Sequence, residues 1–252
     1  MIPRHRPPFG PLSSLGLSVR SLFGSTNVRD LEEDYARFLN VPYAVWLPSA
    51  RYGITRAVEL VTSSDATVYC PVFNCGAVHH AVHESGRSVE FVDCATDSVL
   101  VSGRLQSVGK RQPSDSAVVL SEMFGHRFSA ADLHQPLFAK ASLKVFDMAM
   151  AIPTTSDMER LAGNDLAVIS FGLGKSLYAG WGGMAFTRSS QLADDLRYCR
   201  ERDLCEFGKL ARCKSFVSIL ARTAAHEPCL YGHLRRRKGS GQVHETSAFS
   251  TA

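Results

Sequence analysis

From Val28 to Leu39 the apolar residues Val28, Leu31, Tyr35, Phe38 and Leu39 recur at helical spacing, with Asn27 placed as an N-cap and Asp30 and Glu32 in the first turn. The period then changes. Short apolar, β-rich runs follow at 43–47 (YAVWL), 67–70 (TVYC), 88–92 (SVEFV), 117–121 (AVVLS), 143–146 (LKVF), 166–171 (LAVISF) and 183–187 (GMAFT). Helix-like stretches separate several of them, at about 50–62, 75–84, 129–140 and 189–203. Alternation of this kind predicts an α/β fold, with a mainly parallel seven-stranded sheet and helices on both faces. Such sheets bind ligands in the crevice beyond the carboxyl ends of their strands, so the residues just after each run are the candidates for chemistry.

The two ends of the chain lack this pattern. Residues 1–26 read as a proline-interrupted N-terminal arm, and 27–207 as the α/β domain. A helical stretch near 208–224 belongs to an extension over 208–234, and 235–252 (RRRKGSGQVHETSAFSTA) reads as a disordered basic and polar tail. Within the domain, Gly103 to Pro113 is polar and unpatterned, as in a surface loop, and there is no internal repeat.

Composition narrows the function classes. The chain has 252 residues, with 28 Lys+Arg against 24 Asp+Glu and 45% hydrophobic residues, which excludes collagen, coiled coil and a wholly disordered polymer. A net charge of +4 is mild, and no apolar run approaches the ~18 residues of a membrane span. Pro3, Pro7, Pro8 and Pro11 break any secretory signal core, so the expected location is the cytoplasm. The seven cysteines are odd in number and form no C-x-x-C pair, so they read as reduced thiols packed as small hydrophobes. His79, His80 and His83 are accompanied at ligand spacing only by Glu84, and solvation or packing is expected of them rather than a metal. Arg235, Arg236, Arg237 and Lys238 lack the interleaved aromatics of a nucleic-acid site.

Gly174-Lys175-Ser176 resembles the end of a phosphate-binding G-x-x-x-x-G-K-[ST] loop, but the first glycine position is Ile169, inside an apolar strand. Gly172-Leu173-Gly174 fails as a dinucleotide fingerprint because the third glycine position is Leu177. A different pair accounts for more. Asp147 closes one apolar run and Lys175 lies just beyond another, so both emerge on the ligand side of the sheet. A lysine for a Schiff base and an acid for the pyridine nitrogen are what pyridoxal 5'-phosphate requires.

The stretch from Asp147 to Thr187 resembles the DegT/DnrJ/EryC1/StrS family of sugar aminotransferases, whose pattern is S-F-x-x-x-K followed by G-E-G-G-M. Ser170, Phe171, Lys175, Gly180, Gly182, Gly183 and Met184 match it residue by residue. LEEDYARFLNVPYAV, PVFNCGAVHHAV and VEFVDCATDS extend the likeness over almost all of the predicted domain. The resemblance implies the large domain of a fold-type I pyridoxal-phosphate enzyme, acting as a homodimer. The expected reaction moves an amino group from glutamate to a keto sugar, typically nucleotide-linked. By the same resemblance Lys175 carries the cofactor and moves the proton, Asp147 holds the ring nitrogen and Ser170 the phosphate. Ser49-Ala50-Arg51, where the family has S-G-T, supplies further phosphate contacts through Ala50 and Arg51.

Some positions depart from the pattern. Cys75 stands where the family has the aromatic that stacks on the ring. Met150 replaces the Gln or His near the cofactor hydroxyl, Trp181 the Glu of G-E-G-G, and Glu122 the histidine of V-H-x-Y-G. The chain also lacks the family's N-Y-R segment and the length for a C-terminal small domain. The competing expectation is therefore a non-catalytic, degenerate relative or a gene fragment, with a binding or residual role.

Overall fold

The computed structural model describes residues 27–95, 100, 115–172 and 174–204, with isolated positions between 217 and 227. The chain divides into two units, one spanning Gly24–Glu206 and the other formed by Met1–Phe23 with Phe207–Ala252. The described part of the second unit is limited to helical positions 217–218, 220–221 and 223–225 and a bend at 227. The N-terminal arm, the loop at 103–113 and the basic tail lie outside the described residues.

In the first unit every predicted strand forms: β1 (Tyr43–Leu47), β2 (Thr67–Pro71), β3 (Ser88–Val92), β4 (Ser116–Ser121), β5 (Leu143–Asp147), β6 (Leu166–Ser170) and β7 (Gly183–Thr187). They build one sheet in the order β1-β7-β6-β5-β4-β2-β3. β7 runs antiparallel to β1 and β6, and the other pairings are parallel. β4 is buried at all six positions, because a sheet covered on both faces needs no polar alternation.

Helices α1 (Val28–Leu39), α2 (Ala50–Val61) and α3 (Gly76–Glu84) precede the middle of the sheet, and α7 (Ser190–Asp203) follows β7. Ile54 and Val58 of α2, Val78 and Val82 of α3 and Leu192 and Leu196 of α7 pack on one face against Val45, Val119, Val145 and Val168. The helical stretch expected at 129–140 is instead two short helices, α4 (Ala130–Leu133) and α5 (Pro136–Lys140). Pro136 lacks an N–H, so it starts the second helix rather than continuing the first. A further helix not predicted, α6 (Thr155–Glu159), is set by a reciprocal capping box between Thr154 and Asp157. Leu39 of α1, Leu137 and Phe138 of α5 and Met158 of α6 cover the second face against Leu120, Phe146, Ile169 and Phe186.

α1 is the helix its period predicts, but its stripe is not wholly inward. Phe38 is 77% exposed while Glu32 is buried. The Glu32 carboxylate accepts from the Trp46 N–H at 2.9 Å, Arg197 Nε at 3.0 Å and Arg200 Nη1 at 2.5 Å, tying α1 to α7 and β1. Because β7 is antiparallel to β6, their connection needs no crossover helix. Residues 171–182 bridge them as a loop fastened by the Phe171 N–H to the Gly182 carbonyl at 2.9 Å and the Ala179 N–H to the Phe171 carbonyl at 3.0 Å. Lys175 sits on that loop, at the carboxyl end of β6.

Candidate active site

Asp147 is the last residue of β5 and is buried. Its Oδ1 accepts from the Ala149 N–H at 3.1 Å, and its Oδ2 accepts from Ser121 Oγ, at the end of β4, at 3.4 Å. Burial pushes the carboxyl above its ordinary range. The Ala149 N–H, the charge of Lys175 and the Ser121 hydroxyl oppose that rise, and Glu122 adds to it.

Lys175 is half-buried, and its Nζ lies 3.6 Å from Met150 Sδ. Ser176 Oγ donates to the Met150 carbonyl at 3.3 Å, so the lysine loop is clasped to the segment that follows β5. The structure thus brings Asp147, Lys175 and Met150 together, as adjacent strand ends require. Exposed apolar side chains stand just past the strand ends: Phe73 after β2, Phe124 after β4 and Ile152 after β5. Ile152 also lines an apolar cavity of about 370 Å³ with Leu31, Tyr35, Phe38, Pro153 and Leu177.

At the next strand end, Ser170 faces the start of α2. Ser170 pairs in register with Gly183, and a Cβ placed on Gly183 would lie 2.9 Å from the Ala50 nitrogen. Ser49 caps the helix by accepting from the Tyr52 N–H at 3.1 Å, and its carbonyl takes the Gly53 N–H at 3.3 Å. The N–H groups of Ala50 and Arg51 are the first two of the helix, and a helix supplies no internal partner for these. Together with the helix dipole they suit a dianionic group. The Ser170 hydroxyl accepts from the Gly172 N–H at 3.4 Å and keeps its own proton to donate. The Arg51 side chain is exposed and lines a polar cavity with Tyr52, Arg56, Glu59 and Glu84. Its backbone, rather than its guanidinium, belongs with Ser170.

Cys75 is the exposed N-cap residue of α3, and its side chain makes no capping bond. Its neighbour Asn74, which the motifs did not single out, reaches the site: Asn74 Nδ2 donates to Ser121 Oγ at 2.7 Å. Behind Asp147 the Glu122 carboxylate is fully buried and is gripped by Arg160 at 2.5 and 3.1 Å and by Arg127 Nε at 3.4 Å. The sequence pattern marked Glu122 only as a departure. Its partner Arg160 is 38 residues away, on the far side of β5, and no local spacing joins them. Among the described residues no group of three or more His, Cys, Asp or Glu is placed to hold a metal ion.

These residues can be tested against pyridoxal phosphate. A buried carboxylate facing a lysine, a hydroxyl at the end of β6 and free N–H groups at the start of α2 match the needs of the ring nitrogen, the aldehyde and the phosphate. Cys75 and Met150 offer a thiol and a thioether where a ring and a hydrogen-bonding group are expected. The fit holds for the charged and covalent contacts and is reduced at the ring faces and edge.

Asp147→Asn will raise apo-protein stability at neutral pH. Because the folded-state pKa is raised, ionisation costs stability as pH climbs from the unfolded value through the folded one, and below both values that cost is absent. Thermal melts of wild type and variant should separate near pH 7 and converge in acid; a variant that melts lower at both pH values contradicts this.

The sequence model of the DegT/DnrJ/EryC1/StrS aminotransferase family matches residues 19–218. Among solved structures, the chain is similar to the sugar aminotransferase CalS13 from Micromonospora echinospora, with 19% identity, a TM-score of 0.62, and 78% of this chain and 57% of that one covered. It is similar to DesV of S. venezuelae, with 20% identity, a TM-score of 0.64 and coverage of 85% and 62%. A third likeness is to the E. coli GDP-4-keto-6-deoxy-D-mannose-3-dehydratase with bound hydrated pyridoxal phosphate, with 13% identity, a TM-score of 0.64 and coverage of 83% and 58%. The chain therefore spans 57–62% of the length of these three chains. At these identities the structures establish the fold, a fold-type I transferase sheet. A sequence search of curated proteins finds no match. No helix among the described residues is long and apolar enough to cross a membrane.

Proposed function

Since the chain belongs to the DegT/DnrJ/EryC1/StrS aminotransferase family, we propose that it is a pyridoxal-phosphate-dependent aminotransferase that passes an amino group from glutamate to a nucleotide-linked keto sugar. The observation that carries the proposal is the placement of buried Asp147 within electrostatic reach of Lys175 on the ligand side of the sheet. When bound, the cofactor supplies a ring that draws electrons from the carbon bearing the substrate's amino group.

Lys175 Nζ would hold the cofactor and act as the base that moves the proton at that carbon. Met150 Sδ, a weak acceptor 3.6 Å from Nζ, would orient the amine. Asp147 would keep a proton on the ring nitrogen, a task that needs its carboxylate form. Ser170 Oγ and the N–H groups of Ala50 and Arg51 would hold the phosphate. A homodimer is part of this proposal.

A second reading is favoured by Cys75 and Met150: a protein that binds the cofactor without turning over. Full-length protein incubated with equimolar pyridoxal phosphate, reduced with borohydride and digested will carry the cofactor on the peptide containing Lys175, and Lys175→Ala will carry none there. Retained cofactor that converts glutamate to 2-oxoglutarate supports the aminotransferase, and retained cofactor without conversion supports the binder. Wild-type protein that retains no cofactor overturns both.

A further inference from the structure

Asn74 and Ser121 connect the ends of β2 and β4 to Asp147 by hydrogen bonds whose direction can be worked out. The Cys75 N–H can only donate, and it lies 2.7 Å from Asn74 Oδ1. That contact fixes the amide orientation and turns Nδ2 toward Ser121 Oγ, 2.7 Å away. The amide N–H occupies the hydroxyl as an acceptor, leaving the single Ser121 proton for Asp147 Oδ2 at 3.4 Å. Ser121 is 2% exposed, so water offers its proton no ready alternative.

We propose that Asn74 and Ser121 are positioning residues that orient the Asp147 carboxylate and favour its ionised form. The relay starts at a backbone N–H, which cannot reverse its role, and every link donates toward Asp147. It therefore ends on an acceptor. The Ala149 N–H on Oδ1 does the same for the other oxygen. Between them the two donors set the plane and favour the charge of a group whose burial opposes ionisation. The need for the device comes first from that burial and to a lesser extent from the like charge of Glu122, which Arg160 and Arg127 bind. The other groups that face or feel Asp147 are Lys175, which favours its charge, and the buried thiol of Cys70, pushed up to about 12 by burial and then by the Asp147 charge.

The importance of the relay to catalysis rests on the reading of Asp147 as the partner of the ring nitrogen, but the relay itself can be measured without cofactor. The pH midpoint of the Asp147 side-chain carboxyl, followed by carbon NMR in the apo protein and assigned by its loss in Asp147→Asn, will rise in Ser121→Ala. It will rise less in Asn74→Ala, where the hydroxyl proton remains but is unanchored, and will return toward wild type in Ser121→Thr. Affinity for pyridoxal phosphate should fall roughly tenfold in Ser121→Ala, the worth of one hydrogen bond to a charged group, and recover in Ser121→Thr. A midpoint unchanged in folded Ser121→Ala overturns the relay. If wild-type protein takes up no pyridoxal phosphate, the functional reading fails separately, and the apo titration still decides the role of Asn74 and Ser121.

Discussion

Arg160→Met will destabilise the domain by about 3–5 kcal/mol, the cost of leaving one member of a buried ion pair without its partner. Glu122 has no exposure to solvent, and its two oxygens meet Nη1 and Nη2 of Arg160 at 2.5 and 3.1 Å. Burial alone works against the guanidinium's charge, but Glu122 and Asp157 outweigh it and hold Arg160 charged. The same guanidinium donates to the Phe128 carbonyl at 3.0 Å and to Asp157 Oδ1 at 2.7 Å, and lies 5.2 Å from the centre of the Phe146 ring. Arg127, whose Nε lies 3.4 Å from Glu122 on a side chain twice as exposed as that of Arg160, stays as a single weaker contact and does not replace the two-point grip. The Glu122→Gln/Arg160→Met double variant removes the stranded charge while keeping an acceptor for the Phe128 N–H, which lies 3.1 Å from Oε1. It should recover more than half of the loss. Urea unfolding of the wild type and the two variants measures this, and an Arg160→Met cost below about 1 kcal/mol would show that the pair is solvated in solution. The effect reaches the candidate site, because the Glu122 N–H donates to the Asp147 carbonyl at 2.9 Å.

That network marks the boundary of what could be read from sequence. The central parallel strands were legible because strands buried on both faces appear as short continuous apolar runs, as β4 and β6 do almost end to end, whereas the half-exposed β3 was legible from its β-branched and aromatic residues. The position of Asp147 at the end of β5 and of Lys175 on the loop after β6 was legible because the apolar runs mark where those strands end. α6 was not, because five residues carry too little period, and its evidence is a Thr154–Asp157 cap. Nor were the partners of buried charges. Glu32 lies 165 residues from Arg197 in the chain, and each looks like a solvated helix residue by itself. Asn74 and Ser121 were hidden similarly: an amide in a loop and a hydroxyl at a strand end become a relay only when β2 and β4 lie side by side. The period of α1 fixed its conformation but not its orientation, since burying Glu32 against two arginines leaves Phe38 outside.

Gly183→Ala will combine a loss of stability with a loss of cofactor affinity, and the pairing of the two tests the architecture of the site. Gly183 begins β7, where it pairs with Leu47 of β1 and Ser170 of β6. A Cβ there would meet the Ile169 carbonyl oxygen at 2.5 Å, the Ala50 nitrogen at 2.9 Å and the Ser49 carbonyl carbon at 3.2 Å. All three are backbone atoms, so no rotamer change relieves the contact. Either β7 parts from β6 or the start of α2 lifts from the sheet. Overpacking of this kind costs roughly 1–3 kcal/mol, and the absence of a flexible neighbour puts this case at or above the upper end. Lifting α2 moves the N–H groups of Ala50 and Arg51 away from Ser170, so the proposed phosphate seat is lost with the packing. Gly76→Ala is the control: it opens α3, nothing lies within 4 Å of its added Cβ, and it should be neutral or stabilising by up to about 1 kcal/mol. Thermal unfolding together with pyridoxal phosphate titration separates the possibilities. If folded Gly183→Ala binds the cofactor as wild type does, the phosphate cannot sit between Ser170 and the start of α2. If it loses affinity by more than tenfold while Gly76→Ala loses none, the seat lies where the close approach of β7 and α2 puts it.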